Sequence, residues 1–226
     1  MKFSWRTDWP MWSMIAGMFL LAALTWNTAP DRIPVHWGWS GDVDRYGGKV
    51  EGLVMLPLLT LFIYVMMTFM PRIDPGRRNY EQFAGAYLLI RIAVIAVMAV
   101  IYGAIHLWIR GHRVAIETIV PLVIGALFVL IGSVLGKVRP NWFFGVRTPW
   151  TLSSKLSWSK THRLAGWVFV ALGLCLMASG VSRSRIALVV TLAIGGAGVL
   201  WTIVYSYLVW RGDPNRIPPA GTLPAG

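Results

Sequence analysis

Apolar residues are gathered into six long runs, separated by polar passages. The runs cover Pro10–Asn27, Leu53–Met70, Ala84–Trp108, Ile116–Gly136, Leu164–Val181 and Ile186–Trp210. Each is near the ~17–25 residues a helix needs to cross a hydrocarbon layer. Lipid offers no partner for backbone N–H and C=O groups, so each run is predicted to be helical. The fold class is all-α, a polytopic bundle of about six transmembrane helices. The fifth run is short in its apolar part. Its helix is therefore predicted to begin earlier, with Ser153 or Ser154 as the N-cap.

Composition agrees with this pattern. Charged residues make up 13% of the 226-residue chain and the mean hydropathy is +0.61, whereas soluble domains carry about 25% charge. Thirteen Trp residues suit interfaces where amphipathic rings settle. In a soluble protein a net charge of +12 would point to nucleic acid. Here it reads as orientation, and no direct nucleic-acid binding is expected. The amino terminus, second loop, fourth loop and tail hold thirteen Lys and Arg, the other loops seven, and Arg91 lies within a span. The bias places both termini in the cytoplasm. Lys2 and Arg6 precede the first run much as in a signal peptide, and the run is read as an uncleaved span. Cys175, alone in an apolar run, is expected to be a small buried side chain.

The expected organisation is a two-span unit over residues 1–83, a four-span unit over 84–210 and a disordered tail over 211–226. The tail is rich in Pro and Gly and too poor in apolar residues to fold alone. Three spans per half would invert one half relative to the other, as in transporter repeats. No residue-level match links the halves.

Two long loops carry the candidate chemistry. The first, "APDRIPVHWGWSGDVDRYGGK", is outside in this topology. Its prolines stiffen the chain, its glycines permit tight turns, and Asp31, Asp42 and Asp44 stand against Arg32, Arg45 and Lys49. It reads as a structured loop with an aromatic surface, either resting at headgroup level or recognising a ligand. His36, His106, His112 and Glu117 fall on the same side, but no pair has a recognised metal-ligand spacing, and no metal is assigned.

The second long loop, inside, carries Lys137, Arg139, Arg147, Lys155, Lys160 and Arg163. No Asp or Glu occurs between Glu117 and Asp213. Basic, aromatic segments hug anionic membranes. Lipid contact alone does not require "GVRTPW", where a Gly, an Arg and a Pro specify a defined turn.

These residues resemble a family. "RPNWFFGVRTPWTLSSKLSWSKTHRLAG" is similar to the signature of SdpI-type immunity proteins, matching at Asn141, Gly145, Arg147, Thr148, Pro149, Trp150, Thr151, Leu152, Trp158, Thr161, His162, Arg163 and Gly166. Arg139–Pro140 stands where the family has a lysine, and charge is preserved. The outer loop resembles the domain of unknown function commonly fused before it, at Pro30, Asp31, Ile33, Pro34, His36, Trp37, Gly41, Asp44, Tyr46 and Lys49. The resemblance implies a six-span bacterial cytoplasmic (inner) membrane protein. Characterised relatives protect the producing cell from a secreted peptide toxin, some with signalling through an ArsR-type repressor. The partners it implies are the lipid bilayer, a secreted peptide toxin and such a repressor. No cofactor is implied.

Three functions are weighed. A binding protein would use the outer loop to meet a peptide and the inner loop to report it. A transporter or channel would show intramembrane charge. Arg91 is the one clear candidate, and it is expected to snorkel to the cytoplasmic face. An enzyme lacks a nucleophile motif, and none is expected. Finally, Arg147, Trp150 and His162 are predicted to fold back into one cluster at the cytoplasmic mouth of the bundle.

Overall fold

A computed structural model describes residues 5–38, 41–112 and 114–217. Lys2, Trp39, Arg113 and the tail beyond Ile217 lie outside the described residues. The helices are α1 (Trp5–Thr25), α2 (Met55–Ile73), α3 (Ala84–Ile109), α4 (Ile116–Leu135), a single turn α5 (Pro149–Leu152), α6 (Lys155–Ser182) and α7 (Arg185–Arg211). A hairpin of β1 (Ile33–Trp37) and β2 (Val43–Gly47) joins α1 to α2. The six apolar runs thus correspond to the six long helices. Among the described residues, five helices are long and apolar enough to cross a membrane, α2, α3, α4, α6 and α7 with their flanking turns. Helix α1 has 21 residues, and its first turns hold the charged Arg6 and Asp8.

Packing follows the small and apolar positions. Met11, Ile15, Met18 and Ala22 recur at helical spacing along the buried face of α1. Met11 and Ile15 meet Tyr64 of α2 and Ile95 of α3, while Met18 and Ala22 meet Leu53, Tyr102 and Ile105. The most extensive helix contact is α4 on α6, and glycine makes it possible. Gly125 and Gly132 of α4 face Gly173 and Gly166 of α6. A Cβ on Gly125 would stand 2.5 Å from the Gly173 carbonyl oxygen, and one on Gly132 2.6 Å from that of Gly166. Small residues let backbones approach closely in lipid, where dispersion replaces the hydrophobic effect between helices. Gly195 and Gly198, in the small-residue run of α7, receive Leu172 and Val168 of α6 in the same way.

Two side chains depart from expectation. Cys175 is exposed on the surface of α6; a thiol is apolar enough to face lipid in a span. Arg91 does not snorkel. It is 3% exposed and turned into the bundle, where Nη1 and Nη2 donate to Asp8 at 3.3 and 3.1 Å and Nη2 donates to Thr68 Oγ1 at 2.7 Å. Tyr64 donates to the same carboxylate at 2.9 Å. Asp8 precedes the first apolar run, but α1 begins at Trp5 and carries it into the bundle. Once turned inward the guanidinium is desolvated, and the Asp8 carboxylate and the Thr68 hydroxyl supply the counter-charge and acceptor that burial demands.

Candidate functional site

The inner motif is built on the loop between α2 and α3. Asp74, 1% exposed, accepts from the Gly76 amide at 2.6 Å, the Tyr80 hydroxyl at 2.8 Å and the Trp142 amide at 3.0 Å. Asn79 donates to the Pro140 carbonyl at 2.7 Å. Asn141 then folds the turn: its Oδ1 accepts from the amides of Phe143 (3.0 Å) and Phe144 (2.6 Å), and its Nδ2 donates to the carbonyls of Arg139 (2.9 Å) and Phe144 (3.0 Å). A primary amide offers two donors and one carbonyl acceptor, and here all are used. The second and fourth loops are therefore fastened together at one end of the bundle.

Gly145 turns the chain with φ +105°, and a Cβ there would collide with the His162 ring. His162 is fully buried. Its Nε2 accepts the Val146 amide at 3.0 Å, and its Nδ1 donates to the Trp158 carbonyl at 2.8 Å. Because a backbone amide can only donate, these partners assign the neutral Nδ1–H tautomer. The imidazole stacks on Trp158 at 4.0 Å, and Trp158 Nε1 donates to the Val138 carbonyl at 2.8 Å.

The next turn closes by a reciprocal cap. Thr148 Oγ1 accepts from the Thr151 amide at 3.1 Å, and Thr151 Oγ1 accepts from the Thr148 amide at 2.9 Å. Pro149 takes the first helical position, where no N–H is needed. Thr148 also reaches Ser206 Oγ at 3.0 Å, and Trp150 meets the Tyr207 ring edge-on at 5.2 Å. Ser154 caps α6, the second of the two serines considered. Its hydroxyl also donates to Asp213 at 2.5 Å, and the Ile217 amide donates to the Ser153 carbonyl at 3.0 Å. The Ser154 hydroxyl and the Asn215 amide hold the Asp213 carboxyl below the ordinary carboxylate range. The described start of the tail, through Ile217, is thus clasped to α6.

The expected cluster of Arg147, Trp150 and His162 forms only in its backbone. The chain does fold back onto His162, but through the Val146 amide. The Arg147 side chain is exposed and donates to the Trp142 carbonyl at 2.7 Å, while Trp150 goes to α7. A buried neutral imidazole is a poor neighbour for a guanidinium that would lose its hydration there. Among the motif positions, Asn141, Thr148, Thr151, Trp158 and His162 are buried, and Arg147, Pro149 and Arg163 are exposed. Asp74, Asn79 and Tyr80 belong to neither sequence motif. The turn "DPG" after α2 was a signal for local structure, not for its distant partner.

The outer motif is the β hairpin. Ile33, fully buried, sits on Gly52, where a Cβ would stand 2.6 Å from its side chain. Here the entry to α2 is a π-helical turn (Val50–Val54), and the Leu53 carbonyl accepts the Tyr102 hydroxyl at 2.7 Å. Pro34 is buried and Trp37 packs on the same core, while Pro30 and Asp31 are exposed. Lys49 donates to the Trp26 carbonyl at 3.1 Å and lies 3.8 Å from Asp31. Gly41, with φ +82°, lies against Glu117 of α4. On the exposed surface His36 Nδ1 meets Asp44 at 2.6 Å, Arg45 donates to Glu51 at 2.6 Å, and the Arg32 guanidinium sits 5.3 Å from the centre of the Tyr46 ring. The histidines stay apart: His106 is buried against Tyr102 and His112 is exposed. No group of three His, Cys, Asp or Glu among the described residues could hold a metal ion.

Residues 137–206 match the SdpI/YfhL protein family, and residues 14–61 match a domain of unknown function, DUF1648. The two matches contain the two motifs just described. The chain is 24% identical over 163 residues to Immunity protein SdpI of Bacillus subtilis (strain 168), an alignment covering 69% of this chain and 72% of that protein. No solved structure matches the chain significantly.

Proposed function

We propose that this chain, similar to SdpI-type proteins in its inner loop and to DUF1648 in its outer loop, is an integral membrane immunity protein of the bacterial inner membrane. In this reading both termini are cytoplasmic, as the Lys and Arg bias suggests, and the hairpin faces the source of a secreted peptide toxin. The observation that carries it is the bracing of the hairpin. Ile33 on Gly52, Lys49 on Trp26 and Gly41 against Glu117 fix it to the bundle, while Arg32, His36, Asp44 and Tyr46 remain exposed. A rigid aromatic and charged ledge loses little conformational entropy on binding, which favours recognition. The inner motif supplies a second rigid surface, with exposed Trp142, Lys155 and Lys160 suited to an acidic face of an ArsR-type repressor.

The test is survival of toxin-challenged cells expressing the chain, with membrane levels measured in parallel. Tyr46→Ala and His36→Ala are expected to abolish protection at unchanged level. Full protection by both variants would refute the assignment of the hairpin.

A second reading, transport of a small solute or peptide, draws on the Asp8–Arg91 pair, since intramembrane charges mark substrate pathways. Reconstituted vesicles with no flux above protein-free vesicles would remove it.

A further inference from the structure

Helices α4 and α7 both pack on α6 but scarcely touch each other. Between them lies a cavity of about 450 Å³, within the range of small-molecule sites. Ile131 and Leu135 of α4 form one wall, Val199 and Ile203 of α7 the other, and Phe169 of α6 the back. These walls are apolar except for Thr202 of α7, whose hydroxyl donates to the Val199 carbonyl at 2.7 Å, so the space offers water few of the several polar partners it needs.

The loop Phe144–Thr148 roofs this cavity at the end that carries the inner motif. The roof is rigid: Gly145 sets its turn, the Val146 amide is fixed to His162, and Thr148 is fixed to Thr151 and Ser206. Arg147 lies in the roof. Its hydrogen bond to the Trp142 carbonyl uses Nη1 alone, and no carboxylate pairs with it among the described residues. The carboxylate of the inner motif, Asp74, is occupied by the Gly76 and Trp142 amides and the Tyr80 hydroxyl and forms no ion pair with Arg147. A largely apolar slot between two apolar spans therefore ends at a guanidinium that has no carboxylate partner among the described residues. Guanidinium groups bind phosphate through paired N–H donors.

We propose that this cleft binds one anionic phospholipid. An acyl chain lies between α4 and α7 against Phe169, and the phosphate sits on Arg147. The charge selects the headgroup, and the slot between the helices holds the chain.

The test uses the purified full chain in detergent and native mass spectrometry, adding phosphatidylglycerol, phosphatidylcholine of the same acyl chains, or inorganic phosphate. Wild type is expected to retain one phosphatidylglycerol at concentrations where phosphatidylcholine is lost. Arg147→Gln lowers that retention about fivefold, the share of one interfacial cation, while Lys137→Gln leaves it unchanged. Val199→Trp and Ile203→Trp, which fill the slot from α7, release the lipid, and using both guards against one that fails to fold. Arg147 is exposed, so its comparison with Lys137 decides the question even without them. Equal retention of the two lipids by wild type, or equal loss in Arg147→Gln and Lys137→Gln, overturns the proposal. Displacement of the lipid by inorganic phosphate would reduce the site to one for free anions and overturn it as well.

Discussion

Asp8 and Arg91 face each other inside the bundle, 2% and 4% exposed at their side chains, with Arg91 Nη2 3.1 Å from Asp8 Oδ2. The pair joins α1 to α3, and Tyr64 and Thr68 bring α2 into the same network. Removing one partner leaves a buried charge unpaired, which destabilises by about 3–5 kcal/mol. Asp8→Asn and Arg91→Gln are each expected to lower the melting temperature sharply in detergent. The double variant should lose less than the two single losses added together. Additive losses would mean that the two residues are not coupled.

Gly145 and His162 form a second tight relationship. Gly145→Ala places a methyl group against the imidazole and forces an L-residue to φ +105°. Strain of this kind is on the order of 1–3 kcal/mol before the collision is counted. The unfolding free energy is expected to fall by at least that amount, with a lower melting temperature. His162→Ala removes the collision but also leaves the Val146 amide and the Trp158 carbonyl without their partner, a loss of about 1–3 kcal/mol for each buried group, so the double variant should lose less than the two single losses added together without regaining wild-type stability.

Asp74 fastens the inner motif to the loop before α3. Asp74→Ala leaves the Trp142 and Gly76 amides and the Tyr80 hydroxyl without their acceptor. A hydrogen bond to a charged group contributes about 1.5–3 kcal/mol. The Arg147–Thr148 bond should become accessible to trypsin in membranes opened on that side, with wild type cut far more slowly. Equal cutting of both would show that Asp74 does not restrain the loop.

Asp213 predicts a pH dependence. Its folded carboxyl is held below its ordinary value by the Ser154 hydroxyl and the Asn215 amide. A lowered folded pKa favours the clasped tail above the unfolded value near ~3.9, and that contribution is lost as pH falls through the lower folded value. Spin labels on Leu156 and Asn215 should report one short distance at neutral pH and a broadened one under acid. Ser154→Ala should broaden the distribution already at neutral pH.

The sequence by itself determined the six apolar helices, the serine region that starts α6 and the two motif positions. Those are local properties: span length is set by hydrocarbon thickness, and caps and turns by the chemistry of a few neighbouring residues. Tertiary structure alone decided which distant groups meet. Asp8 finds Arg91 across 83 positions, and Asp74 finds Trp142 across 68. The outer loop, read as structured, became a paired hairpin only where Ile33 could settle on Gly52. The motif that looked like an exposed basic turn is mostly buried structure, with Arg147 left outward. The reason is desolvation: a buried polar group must find a partner, and which partner lies within reach depends on how the helices pack.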